Sequence, residues 1–329
     1  MKLRKGVIVA ASALVLVATA ACSGTGQPAS PASSGGGGGA GSYGYKFSVI
    51  THGAPGDTFW DVVKKGAEKA GSDEGVTVNY QASGGDPAKQ AQLIDAAVNE
   101  KADGIVVSMA NPDALQASIK KAVSAGIPVI TINSGQDKSK AFGALAHVGQ
   151  DEIIAGKGAG EQMKAAGVTK SLCVIQEAGN IGLEQRCQGY AQGLGGEVQS
   201  LQVENSNPSG AEATIKSKLQ SDPSINGVLT LGPVIGAVAI KAVGDSGSSA
   251  KLATFDLNAD VTQAIADGKM LFAVDQQQYT QGYLPIVMLT LYKSNLNTVG
   301  GGQPVLTGPG YVTKDNAAKV KGLAGQGTR

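Results

Sequence analysis

What is scarce in this chain narrows its chemistry. Its 329 residues include two histidines, His52 and His147, and three cysteines. Neither histidine stands in an HExxH pattern, the cysteines are not spaced as zinc ligands, and no phosphate-binding loop is present. No free cysteine stands beside a histidine with an orienting acid, so neither enzymatic activity nor a cofactor is expected. Aromatic residues make up 4 %, with a single tryptophan, Trp60. Neither sign of charge is in excess: 27 Lys and Arg face 26 Asp and Glu. That balance, without any arginine-rich run, argues against a nucleic-acid partner. Glycine, by contrast, is abundant at 48 residues, which favours tight turns and close helix packing.

The chain opens with Lys2, Arg4 and Lys5, followed by an apolar run over residues 7–21. That run is shorter than the roughly 20 apolar residues a membrane span needs. A charged head, a short apolar body and small residues at its end read as a cleavable export signal over residues 1–22. A retained anchor is the alternative. Thr19-Ala20-Ala21-Cys22 resembles a bacterial lipoprotein cleavage box, with Thr19 where an aliphatic residue is usual. The resemblance implies a lipid-anchored protein at the outer face of the cytoplasmic membrane, lipidated at Cys22. Residues 23–44 are Gly, Ser, Ala and Pro with almost nothing to bury, so a disordered linker is expected. It would span on the order of 25 Å.

The remaining cysteines are Cys173 and Cys187. In an oxidising compartment such a pair invites a disulfide. It would close a loop of about 15 residues, worth roughly 3 kcal/mol. Two buried free thiols are the other reading.

From Tyr45 onward, short apolar runs alternate with amphipathic helices. Strands are predicted at 46–50, 76–80, 104–109 and 128–132. Helices are predicted at 59–70, from Pro87 and from Pro112. Asp86-Pro87 is a strong helix start, because Asp accepts from free N–H groups and Pro suits the first turn. A second series follows, with helices at 152–165, 183–194, 211–220, 236–243, 259–266 and 280–292. Its strands are at 171–176, 198–203, 227–231, 251–255 and 270–274. Apolar strands alternating with helices mean parallel sheets, and two series mean two α/β lobes. The run Gly156-Lys157-Gly158-Ala159-Gly160 faintly resembles a dinucleotide turn. It falls inside a predicted helix and reads as close helix packing.

Ligands of open α/β sheets bind beyond the C-terminal strand ends. The residues there are His52, Asp57, Phe59 and Trp60 after the first strand, then Asn133-Ser134, Asn180, Arg186, Asp256, Asn258, Asp275 and Gln276. Carboxylates accept from hydroxyls, Arg and amides donate to them, and aromatic faces suit polarised C–H bonds. This is the chemistry of a polyhydroxylated-ligand site. Each residue also has a plainer role open to it. Asp57 could cap a helix, Phe59 and Trp60 could be core, Asn133 and Asp256 could make turns, and Arg186 could pair with a Glu.

At this point the chain resembles the ribose/galactose-type periplasmic solute-binding proteins of ABC importers, over 45 to about 313. The markers are Asp57-Thr58-Phe59-Trp60, Gly66-Ala67-Glu68, Ala102-Asp103-Gly104-Ile105-Val106-Val107 and Gly126-Ile127-Pro128-Val129-Ile130-Thr131 with Asn133 after it. Arg186 before Gly189-Tyr190, Thr254-Phe255-Asp256, and Asp267-Gly268-Lys269 ahead of Gln276 complete the series. The resemblance implies two doubly wound parallel-sheet lobes, 45–150 plus 277–308 and 151–276 plus 309–329. Three crossovers, near Gln150, Gln276 and Gly308, join them.

By matching position, Asp57, Phe59, Trp60, Asn133, Arg186, Asp256 and Gln276 line the ligand cleft. The implied function is capture of a small sugar or polyol for an ABC permease by a monomeric receptor. A receptor presenting a sugar-like signal to a membrane sensor uses the same fold. Ribose binders usually carry Asp-Arg where this chain has Asn133-Ser134, and Asn where it has Gly232. Those departures point toward a ligand of different shape, such as a sugar alcohol or cyclitol.

Overall fold

The computed structural model describes residues 43–329. The expected export signal, Cys22 and the expected linker up to residue 42 lie outside the described residues.

The chain lays down β1 (Lys46–Thr51), α1 (Thr58–Glu74), β2 (Thr77–Ala82), α2 (Pro87–Asn99), β3 (Gly104–Ser108), α3 (Pro112–Ser124), β4 (Val129–Ile132), a short α4 (Gln136–Ser139) and β5 (Ala146–Gln150). It continues through α5 (Glu152–Ala165), β6 (Lys170–Ile175), α6 (Ile181–Leu194), β7 (Glu197–Gln202), α7 (Pro208–Ser221), β8 (Gly227–Thr230), α8 (Pro233–Ser246), β9 (Lys251–Phe255), α9 (Ala259–Ala266) and β10 (Phe272–Asp275). Last come α10 (Gln278–Asn295), β11 (Val305–Gly308), β12 (Gly310–Thr313) and α11 (Ala317–Gln326). The expected helix starts have a local cause. Asp86 Oδ1 accepts from the N–H groups of Ala88 and Lys89, with Pro87 in the first turn of α2.

Two six-stranded sheets result, ordered β11-β5-β4-β3-β1-β2 and β12-β10-β9-β8-β6-β7. Strands β3, β4 and β8 are buried along their whole length, as expected for sheets covered by helices on both faces. The chain passes between sheets after β5, after β10 and between β11 and β12. All pairings are parallel except β12, which runs antiparallel to β10. The exception follows from the layout. Only Pro309 separates β11 from β12, so the chain leaves the first sheet at its C-terminal edge and enters the second at its C-terminal edge. The two C-terminal edges therefore face each other.

Five elements escape the sequence pattern: α4, β5, β11, β12 and α11. Strand β5 reads Ala-His-Val-Gly-Gln, which carries no apolar run. Strands β11 and β12 are four residues each and contain glycine. The two expected parallel-sheet lobes are present, with β12 as an antiparallel strand at the edge of the second sheet.

Apolar clusters fill both faces of each sheet. Backbones of paired helices touch. A Cβ at Gly156 on α5 would sit 2.2 Å from the Arg186 carbonyl on α6, and one at Gly282 on α10 would sit 1.9 Å from the Val63 carbonyl on α1. The glycine run around Gly156 therefore serves helix packing. Cys173 on β6 and Cys187 on α6 are joined in a disulfide, with Cα atoms 5.8 Å apart. Among the described residues no helix is long and apolar enough to cross a membrane.

Candidate functional site

A small cavity lies between the facing edges of the two sheets. All seven residues expected at the cleft line it: Asp57, Phe59, Trp60, Asn133, Arg186, Asp256 and Gln276.

The first lobe supplies the loop after β1 and the start of α1. Asp57 is the N-cap of α1, its Oδ1 accepting from the Phe59 N–H at 3.0 Å. Its Oδ2 accepts from Asn205 Nδ2 of the second lobe at 2.9 Å. Capping and cleft lining are thus one role. Burial, with the nearby Glu177 charge, pushes the Asp57 carboxyl up to about 7. Phe59 and Trp60 meet edge-on, ring centroids 4.9 Å apart, and belong to the core as well as the wall. His52 stands edge-on to Trp60 at 4.7 Å. Its Nδ1 lies 2.7 Å from Ser108 Oγ, which also accepts from the His52 backbone N–H. Burial holds the His52 pKa down against the Glu177 charge, so the ring is neutral near pH 7.

The second lobe supplies the charges. Arg186 on α6 is 3 % exposed and grips Glu152 at the start of α5, Nε to Oε2 at 2.7 Å and Nη2 to Oε1 at 2.8 Å. Its Nη1 donates to the Leu231 carbonyl at 3.1 Å, and the guanidinium lies over the Phe255 ring. Three of its five N–H groups are used, which leaves two uncommitted. Burial alone opposes the Arg186 charge. Glu152, with the Asp256 and Glu177 charges, outweighs it, and the pKa is raised.

Asp256 follows β9 in left-handed backbone, φ 63°, a conformation Asp tolerates better than most residues. Its Oδ2 accepts from Gln276 Nε2 at 2.8 Å, while the buried Oδ1 has no hydrogen-bond partner. Burial pushes this carboxyl up to about 7, against the pull of Arg186. Gln276 Oε1 accepts in turn from Asn133 Nδ2 at 3.0 Å, so a chain of amides links the lobes beneath the cavity.

Further bonds hold the cleft closed. Ser134 Oγ lies 3.1 Å from Asn180 Oδ1 and donates to it, and the Ile181 N–H donates to the Ala110 carbonyl at 3.0 Å. Asn258 and Asp275 do not join the wall. Asn258 caps α9 through the Val261 N–H, and Asp275 accepts from the Gln277 N–H at the crossover.

Sequence reasoning missed Gln176, Glu177, Leu183, Asn205 and Leu231 on the wall, and Glu152 behind Arg186. Gln176 and Glu177 follow β6 as Asn133 follows β4. The predicted strand ran one residue too far and enclosed Gln176. Asn205 had no signal, because its partner Asp57 is 148 residues away. Gly232 also has a spatial meaning: a Cβ there would lie 2.6 Å from Gln176 Nε2, so the amide occupies the room a side chain would take. Among the described residues no group of His, Cys, Asp and Glu is arranged to hold a metal ion.

Comparison with known proteins agrees with this architecture. A solved carbohydrate transporter from Acidothermus cellulolyticus, in complex with myo-inositol, is 45 % identical with a TM-score of 0.85. The match covers 87 % of this chain and 100 % of that one. The fructose import binding protein of Bifidobacterium longum is 27 % identical over 83 % of this chain and 84 % of its own. The xylose/arabinose-binding protein of Sulfolobus acidocaldarius is 26 % identical over 72 % of this chain and 64 % of its own, just under two thirds of that relative. Residues 47–295 match the model of the periplasmic binding protein domain, and the chain belongs to that family.

Proposed function

We propose that this protein is an extracytoplasmic receptor that closes around a ring polyol, a small sugar or cyclitol, and delivers it to the permease of an ABC importer. One observation carries the reading. The closed cavity holds a buried carboxylate oxygen without a donor, Asp256 Oδ1, and a buried guanidinium with two uncommitted N–H groups, beside the Trp60 and Phe59 rings. A ring hydroxyl can donate to the first and accept from the second, and its C–H face can lie on the aromatics. Asp57, Phe59, Trp60, Asn133, Arg186, Asp256 and Gln276 are the proposed contacts.

A cyclitol is favoured within the class. Asn133-Ser134 and Gly232 remove the donors of a pentose site, and Gln176 fills the room beside Gly232. The relative of 45 % identity was solved with myo-inositol. The lobes 45–150 plus 277–308 and 151–276 plus 309–329 are proposed to move as units about the three crossovers, driven by ligand contacts made only on closure. The receptor works as a monomer, catalyses nothing, and is tethered through lipid on Cys22.

Isothermal titration against pentoses, hexoses, linear polyols and inositols tests the ligand, with binding expected among the ring polyols. Tight binding of an amino acid or nucleoside, with no polyol bound, would sink the reading. Mass spectrometry of the mature N-terminus checks the lipid.

A further inference from the structure

We infer that the cleft selects its ligand by charge: it takes an amino-substituted ring polyol, an aminocyclitol or amino sugar, in preference to the neutral parent, and refuses phosphorylated or carboxylated polyols. This rests on the ring-polyol reading and narrows it.

The warrant is a surplus of carboxylates. Arg186 is the one Arg or Lys on the cavity wall, and Glu152 behind it already matches its charge. Asp57, Glu177 and Asp256 remain, and Arg186 is the one cation on that wall for them to share. His52 Nε2 lies 3.5 Å from Glu177 Oε2, but burial lowers the pKa of the ring and so works against a lasting charge there. An outer groove adjoins the cavity and shares His52, Gln176, Glu177 and Asn205 with it. That groove adds Glu204 and no Lys or Arg.

The second observation is Asp256 itself. It is 1 % exposed, lines the cavity, and its Oδ1 has no donor. A hydroxyl brings such an oxygen one donor, whereas an ammonium brings three and a positive charge. Asp57 and Glu177 come from opposite lobes, so closure surrounds a bound cation with carboxylates from both sides. Burial has already pushed Asp57 and Asp256 up to about 7, so the empty cleft holds those charges at a cost that a cation removes. An ammonium loses its hydration on entry, and only close carboxylates offset that loss. A phosphate or carboxylate group would lose its hydration too, and would meet acidic groups from both lobes beside an Arg186 already paired with Glu152.

The test is isothermal titration of the mature protein at pH 7 with three matched sets. Each set is a parent, its amino-deoxy form and its phosphate: inositol, glucose and galactose. In the set whose parent binds, the amine is expected to bind about ten-fold tighter and the phosphate not detectably. Glu177→Gln is expected to reduce the amine-to-parent ratio by about ten-fold. An amine that binds no tighter than its parent overturns the inference. So does a phosphate within ten-fold of the parent, or a ratio that Glu177→Gln leaves unchanged. If no member of any set binds, the ring-polyol reading itself fails and the inference falls with it.

Discussion

Arg186 and Glu152 meet fork to fork, 2.7 and 2.8 Å between their paired atoms, and each is 3 % exposed. The pair holds a cleft residue from behind. Removing one partner leaves the other as a buried, unmatched charge. Glu152→Gln is expected to cost about 3–5 kcal/mol. Thermal denaturation would register this as a fall of roughly 2–4 °C per kcal/mol. Ligand binding should be lost too, since Arg186 is no longer oriented. The double replacement Arg186→Met with Glu152→Leu should recover most of the stability and none of the binding. That separation distinguishes the pair's structural role from its ligand role.

Asp256→Asn is expected to stabilise the empty protein while weakening binding. The folded pKa of Asp256 is about 7 and its ordinary value is 3.8. Between those values the native state holds more protons than the unfolded state, so stability falls as pH rises. The contribution is fully present below pH 3.8 and is lost as pH passes 7. Three units correspond to at most about 4 kcal/mol. Asn also fits the left-handed backbone and still accepts from Gln276. Melting curves at pH 5 and pH 8 should show a smaller difference for the variant, with a higher midpoint than wild type at pH 8. Titration should show binding weaker by roughly 2–4 kcal/mol.

His147 acts in the opposite direction. It is buried on β5 of the first sheet, bonded through Nδ1 to Thr131 Oγ1 at 2.9 Å, and desolvation lowers its pKa to about 4. Its ordinary value is 6.5. The unfolded state therefore takes up a proton first, and stability present above pH 6.5 is lost as pH falls toward 4. His147→Gln should flatten the stability profile in that window, even where it lowers the absolute midpoint. An unchanged acid slope would contradict this account.

Gly232→Ala places a Cβ 2.6 Å from Gln176 Nε2. The backbone there is extended, φ −162°, so the substitution carries no backbone strain. The melting midpoint should move little. Displacing the Gln176 amide should weaken binding by about 1–3 kcal/mol and alter the order of preferred ligands, which competition titration would reveal.

Trp60 is the sole tryptophan and lines the cavity against His52 and Phe59. Its emission should change on ligand addition and saturate at the same concentration as calorimetric binding. Emission that ignores a bound ligand would move the site away from Trp60.

Much of the fold was legible because α/β elements announce themselves locally. Asp86-Pro87 starts α2, the predicted helix at 152–165 coincides with α5, and the predicted strand at 251–255 coincides with β9. The elements that escaped were those whose pairing is their only support, β5, β11 and β12. The same division runs through the cleft. Residues just after a strand could be found from strand ends, and the one-residue error at β6 hid Gln176.

Sequence alone determined the residue types that can meet a hydroxylated ligand and the helix and strand rhythm that brings them to strand ends. These depend on side-chain chemistry and short-range periodicity. The tertiary structure decided which groups remain uncommitted once the chain has closed. Arg186 is spoken for by Glu152, Asp57 by its own helix and by Asn205, and Asp256 keeps one oxygen free. Those outcomes depend on contacts between residues as far as 148 positions apart, and no local pattern encodes which of two possible partners a buried charge will meet.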